Sequence, residues 1–101
     1  MAKRVIWTEK ALRDRFEIFR FWVENNKSNT YSIKLDSQFE NLAVTLSKFP
    51  QAGKKTNRTN VRLFILKHYS IFYKINGEDL FIQSVWDNRQ NPESLKSFES
   101  N

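Results

Sequence analysis

The chain has 101 residues, 40% of them hydrophobic and 15% aromatic, which suffices for one packed core but not two, so a single domain spanning residues 1–101 is expected. It has no cysteine and one histidine, His68, which excludes a disulfide framework and a thiolate metal site and leaves no spacing for a catalytic zinc; neither metal nor cofactor is expected. The net charge of +6 is concentrated: no acid lies between Glu40 and Glu78, where seven cations fall, and the rest of the chain holds ten cations against all eleven acids.

Residues 4–7, Arg-Val-Ile-Trp, predict a short strand, and Thr8 with Glu9 behind it predicts a helix start, with a side-chain cap and a carboxylate in the first turn. A helix is expected over about Glu9 to Glu24. Leu12, Phe16, Phe19 and Val23 recur at steps of four, three and four and predict its buried stripe, flanked by Ala11, Ile18 and Trp22, with Phe21 nearly opposite. After the polar run Asn25 to Asn29, a second helix is expected from Thr30 to Lys48, with a stripe of Tyr31, Leu35, Phe39, Leu42, Leu46 and Phe49; Pro50 ends it. Ile33 and Val44 lie off that stripe. Two helices joined this closely make an antiparallel hairpin.

Gln51 to Asn60 predicts a polar loop carrying Lys54, Lys55 and Arg58. These cations and Lys67 form a basic patch that would concentrate an anionic partner, either nucleic acid or an acidic protein. Although Gly53-Lys54-Lys55-Thr56 holds Gly, Lys and Thr, the glycine spacing of a P-loop is absent.

Residues 61–87 predict an antiparallel meander of three strands rich in Val, Ile, Phe and Tyr. With Asn76-Gly77 as a two-residue turn and Leu66-Lys67-His68 as a three-residue loop, parity puts Val61, Leu63, Ile65, Tyr69, Ile71, Tyr73, Ile75, Leu80, Ile82 and Trp86 on one face, under the helices. The opposite face then carries Arg62, Phe64, Ser70, Phe72, Lys74, Phe81, Gln83 and Val85, a mixture of cations and large apolar groups unlike a merely solvated surface. A cover from Leu95 and Phe98, in a short terminal helix after Pro92, is the alternative use of that face. The expected fold is α+β, a helical hairpin on one face of a largely antiparallel sheet in the order β-α-α-β-β-β-α.

Four stretches carry a family resemblance: Phe49-Pro50-Gln51-Ala52-Gly53-Lys54, Asn60-Val61-Arg62, Tyr69-Ser70-Ile71-Phe72-Tyr73-Lys74-Ile75, and Val85-Trp86-Asp87-Asn88-Arg89-Gln90-Asn91-Pro92. In order and spacing they resemble the RelE/ParE superfamily of bacterial type II toxins, closer to the ParE branch. The resemblance implies a toxin neutralised by a cognate antitoxin, hetero-oligomeric with it. With no apolar run near about 20 residues and no signal-peptide pattern, a cytoplasmic protein without membrane association is expected. Apolar anchors inside a cationic rim suit an antitoxin groove, so Arg62, Phe64, Phe72, Lys74, Phe81 and Val85 are the expected contacts.

Within the superfamily, RelE-like members cut messenger RNA on the ribosome, using Lys and Arg on the sheet and a Tyr near the C-terminus to promote attack by a ribose 2′-hydroxyl. Arg62, Lys74 and Arg89 are the catalytic candidates on that reading, with His68 as an acid or base. Ser70 stands where such toxins commonly have an active-site Arg, and after Pro92 there is neither Tyr nor His. ParE-like members instead poison DNA gyrase, and that growth-arresting, non-nucleolytic activity is the favoured expectation. The alternatives are a metal-independent endoribonuclease acting on ribosome-bound mRNA and a non-toxic partner that only binds the antitoxin.

Overall fold

A computed structural model describes residues 2–89 and shows two helices against one face of a five-stranded mixed sheet. In chain order the elements are β1 (Arg4–Trp7), α1 (Glu9–Asn26), α2 (Thr30–Lys48), β2 (Lys54–Lys55), β3 (Val61–Leu66), β4 (Tyr69–Asn76) and β5 (Asp79–Asp87), with the strands arranged β1-β5-β4-β3-β2. β1 is parallel to β5 and every other pairing is antiparallel. The α+β expectation therefore holds, with a short strand, β2, inside the stretch expected to be a loop. The expected terminal helix, with Leu95 and Phe98, lies outside the described residues. Among the described residues no helix is long and apolar enough to cross a membrane.

Thr8 caps α1 as expected, its Oγ1 accepting the Ala11 amide at 3.2 Å. The face α1 buries is not the expected one. Leu12 and Phe16 are 51% and 63% exposed, while Ala11 is fully buried and Ile18 and Trp22 pack on the core. Two polar anchors account for the rotation: Arg15 is bound to Asp36 and Glu40 of α2, and the Trp22 Nε1 donates to Tyr69 Oη at 2.7 Å. These fasten the Ala11-Arg15-Ile18-Trp22 line inward, so Leu12 and Phe16 beside it are left outside, while Phe19 and Val23 of the expected stripe stay half-buried. On α2 the expected stripe holds over Leu35, Phe39, Leu42 and Leu46, all buried, but Phe49 at the C-cap is 65% exposed.

The sheet also departs from the expected register. The β3–β4 loop is the two residues Lys67-His68, with Leu66 opposite Tyr69, and Lys67 takes a left-handed φ of 56° to make it. Losing one loop residue inverts β3: Arg62, Phe64 and Leu66 turn to the helix side, and Val61, Leu63 and Ile65 to the open side. The β4–β5 turn is Gly77-Glu78, one residue later than expected, with Asn76 opposite Asp79; only its first position, Gly77 (φ 62°), has positive φ, which is the II′ pattern. A two-residue shift in pairing preserves faces, so Ile71, Tyr73, Ile75, Leu80 and Ile82 do line the core. A bulge then leaves Gln83 as the extra residue, since Tyr73 pairs with Ile82 and Phe72 with Ser84. Beyond it parity flips, so Val85 joins the main core and Trp86 packs on the open side with Val61, Leu63 and Phe72.

Candidate functional site

The candidate residues fall into three places rather than one. At the first end of the sheet, where α2 hands over to β2 and β3, Arg62 half-buries its side chain and its Nη1 donates to the carbonyls of Gly53 (2.7 Å) and, more weakly, Gln51 (3.4 Å). Tyr73, directly across the strand pair from Arg62, braces the same segment: its Oη accepts the Gly53 amide and donates to the Pro50 carbonyl, each at 2.8 Å. Burial pushes the Tyr73 phenol up, with the Gly53 amide and the Arg62 charge pulling the other way, so it stays neutral and able to donate. Arg62 thus fixes a loop on the helix side of the sheet and does not stand beside Lys74 on the open face.

At the opposite end, the β3–β4 turn and the end of β5 gather a second group. Tyr69 Oη accepts from Trp22 Nε1 and, at 3.4 Å, from Arg89 Nη2; the Arg89 guanidinium lies 5.1 Å from the Trp22 ring centre and 5.9 Å from that of Tyr69. Asp87 grips Arg89 through both carboxylate oxygens, at 3.0 and 3.1 Å, and also accepts its backbone amide. Burial works to raise the Asp87 carboxyl, but the bonds and charge from Arg89, with His68 nearby, outweigh it and hold the group below the usual carboxylate range. A carboxyl depressed in the folded state contributes stability above the ordinary Asp range and loses it as pH falls through the folded value. Wild-type stability should therefore drop between about pH 5 and the depressed Asp87 value, and Asp87→Asn should flatten that part of a urea-melt pH profile. An unchanged profile in Asp87→Asn would show that the Arg89 pair adds nothing.

The third place is the open face. Phe72 is buried there beside Val61 and Leu63, while exposed Lys74 sits across from half-buried Phe81. Of the expected antitoxin contacts, Phe72, Lys74 and Phe81 occupy this face; Arg62, Phe64 and Val85 are turned to the helices by the β3 inversion and the bulge. The basic patch divides too. Lys54, Lys55 and Arg58 lie at the first end, whereas Lys67 sits in the far turn, 5.7 Å from the Tyr31 ring centre.

The three catalytic candidates are consequently not assembled. Arg62 and Lys74 project from opposite faces, and Arg89 with His68 lies beyond the other end of β4, five residues away, roughly 17 Å at about 3.4 Å per strand residue. Sequence reasoning missed Tyr73 and Gly53 as a bonded pair and Trp22 with Tyr69 as another. Their only sequence trace is polar-tipped aromatics at core positions, which call for a partner when buried.

With this geometry in view, a family model described as "ParE toxin of type II toxin-antitoxin system, parDE" matches residues 5–92. Toxin ParE3 of Caulobacter vibrioides is 34% identical over 90 residues, covering 87% of this chain and 89% of its own. A solved structure described as "Chromosomal ParDE TA system from P. aeruginosa" superposes with a TM-score of 0.72 at 19% identity, covering 83% of this chain and 94% of that one, a likeness of fold.

Proposed function

This chain belongs to the ParE family, the toxins of type II toxin-antitoxin systems, and with that as premise we propose that it arrests growth by poisoning DNA gyrase and does not cleave RNA. An antitoxin is its partner. The observation that carries the non-nucleolytic reading is the dispersal of its acid-base and cationic groups. Cleavage next to a 2′-hydroxyl needs a proton acceptor, a proton donor and charge stabilisation around one phosphorus, each within hydrogen-bond reach. Here Arg62 is committed to the Gly53 carbonyl, Arg89 is clasped by Asp87, and His68 lies at the other end of the sheet from Lys55 and Arg58. For antitoxin recognition the reading places Lys74 and Phe81 in the contact, since they remain accessible on the open face, with Phe72 buried beneath it beside Val61 and Leu63.

One induction experiment tests both parts. After expression, the same cells are assayed for cleaved translated messages and for double-strand breaks that depend on gyrase. Breaks without message cleavage are expected; co-expressed antitoxin from the adjacent gene should abolish them, and Phe81→Asp with Lys74→Glu should restore them. Cleaved messages with intact chromosomes would overturn the target, and full neutralisation of the double variant would overturn the contact face.

A further inference from the structure

The loop between β2 and β3 borders a half-open cavity of about 480 Å³ at the first end of the sheet, away from the open face. Lys55, Arg58 and Arg62 contribute three cations to its wall, Thr56, Asn57 and Thr59 add hydroxyl and amide groups, and no acid among the described residues lines it. Lys55 and Arg62 are direct partners across β2 and β3. Opposed residues in such a pair hold their Cβ atoms about 5 Å apart, and like charges there are destabilising. Among the described residues the wall offers this pair no neutralising carboxylate, an arrangement that an anion between the two cations would stabilise.

The loop is also held in shape before any ligand arrives. The Thr56 amide and Oγ1 both donate to the Val61 carbonyl, at 3.2 and 2.9 Å, the Val61 amide donates back to the Arg58 carbonyl at 3.2 Å, and Asn60 takes a positive φ of 63° to close the turn. Arg62 spends Nη1 on the Gly53 and Gln51 carbonyls, and among the described residues neither its Nε nor its Nη2 takes a partner. A guanidinium edge fixed in this way, beside Lys55 and the Thr59 hydroxyl, is a donor set of the kind used on phosphodiester oxygens.

We propose that this cavity is a phosphate subsite through which the toxin binds the backbone of nucleic acid directly, with duplex DNA as the ligand. An acidic peptide is the competing occupant, but its seat needs apolar or aromatic anchors, and among the described residues the wall offers only Val61 and Ile75 as apolar side chains. Among the described residues the wall holds no His, Tyr, Asp or Glu, so its described side chains grip a phosphate without moving a proton. The contact is with nucleic acid itself, whichever assembly presents the DNA.

The test is fluorescence anisotropy of the purified full-length toxin with a short labelled duplex, repeated across salt concentrations. The slope of log affinity against log salt should fall in magnitude by about 1.8 in the Lys55→Ala/Arg58→Ala variant, at about 0.9 for each phosphate no longer neutralised, with affinity down about tenfold or more at low salt. Arg62 is left in place because it holds the Gly53 segment, and an unchanged thermal melt shows that the variant is folded. Lys10→Ala/Lys34→Ala, which removes two cations from the helices, should retain the wild-type slope. A single-stranded RNA arm distinguishes the source of the phosphodiester: equal sensitivity to the cavity variant with RNA alone would move the ligand from DNA to RNA and keep the subsite. No nucleic-acid binding, the same slope change in the helix control, or tighter variant-sensitive binding of a polyglutamate peptide would each overturn the proposal.

Discussion

Replacing Gly53 by alanine is expected to cost about 2–6 kcal/mol, enough to lower the melting temperature by roughly 8–48 °C in a domain of this size. A Cβ at this position would sit 2.6 Å from Tyr73 Oη, 2.9 Å from Tyr73 Cε1 and 2.8 Å from the Leu63 carbonyl oxygen. The phenol is fixed by its bonds to Gly53 and Pro50, and the carbonyl belongs to a strand paired on both sides. Neither contact can be relieved by a rotamer, so the loop must move off. Overpacking of this kind costs about 1–3 kcal/mol. Moving the loop also strips the buried phenol of its partners, which adds about 1–3 kcal/mol. Tyr73→Phe alone, which loses the two hydrogen bonds without a clash, should cost about 1–3 kcal/mol. The double variant should cost less than the two singles together, because the phenol oxygen is one source of the clash. Urea melts of the four proteins measure this directly. A Gly53→Ala melt within about 1 kcal/mol of wild type would refute the close-packing account.

The general architecture was legible because it rests on local signals. Thr8 before an amphipathic stretch, Pro50 after another, and β-branched and aromatic runs between turn residues led to the helical hairpin and the antiparallel β3-β4-β5 sheet. What failed was phase. The β3 register depends on whether Leu66 belongs to the loop, and nothing in Leu66-Lys67-His68 announces that Lys67 will accept a left-handed φ of 56°. One residue there exchanged Arg62 and Phe64 with Val61 and Leu63 between the two faces. The bulge at Gln83 did the same for Val85 and Trp86. Bulges leave no mark in an alternation pattern, since the strand remains apolar on either side of the extra residue.

The candidate site suffered from the same phase errors. A cationic face studded with phenylalanines was read from Arg62, Phe64, Phe72, Lys74, Phe81 and Val85 together, and only Phe72, Lys74 and Phe81 share that face. The acid-free segment, by contrast, was visible in sequence, and Lys55, Arg58 and Arg62 do converge on one cavity. Their convergence was hidden because β2, two residues long, has too little alternation to reveal a strand, and it is that strand which sets Lys55 opposite Arg62.

The phase of α1 has its own cause, and it yields the other large expected effect: Arg15→Ala should destabilise the protein by about 2–3 kcal/mol. The Arg15 side chain is only 11% exposed; its Nε and Nη2 donate to the two Asp36 oxygens at 3.0 and 2.8 Å, its Nη1 to Glu40 at 2.6 Å, and its Cζ lies 4.3 Å from the Trp7 ring centre. Removing one member of a buried ion pair costs about 3–5 kcal/mol. The lower figure is expected here because Asp36 and Glu40 remain 37% and 58% exposed and can rehydrate. Their two carboxylates, four residues apart on α2, would also repel by a few tenths of a kcal/mol once the cation is gone. Arg15→Lys keeps the charge but cannot fork across Asp36, so it should recover about half of the loss. If the guanidinium sets the rotation of α1, a double-mutant cycle with Asp36→Ala should give a coupling of about 1 kcal/mol or more. It should also redshift Trp7 fluorescence as the ring loses its cover. Additive effects in that cycle would mean that Ala11, Ile18 and Trp22 alone turn the helix inward, and that Leu12 and Phe16 face solvent for want of room rather than because Arg15 holds them there.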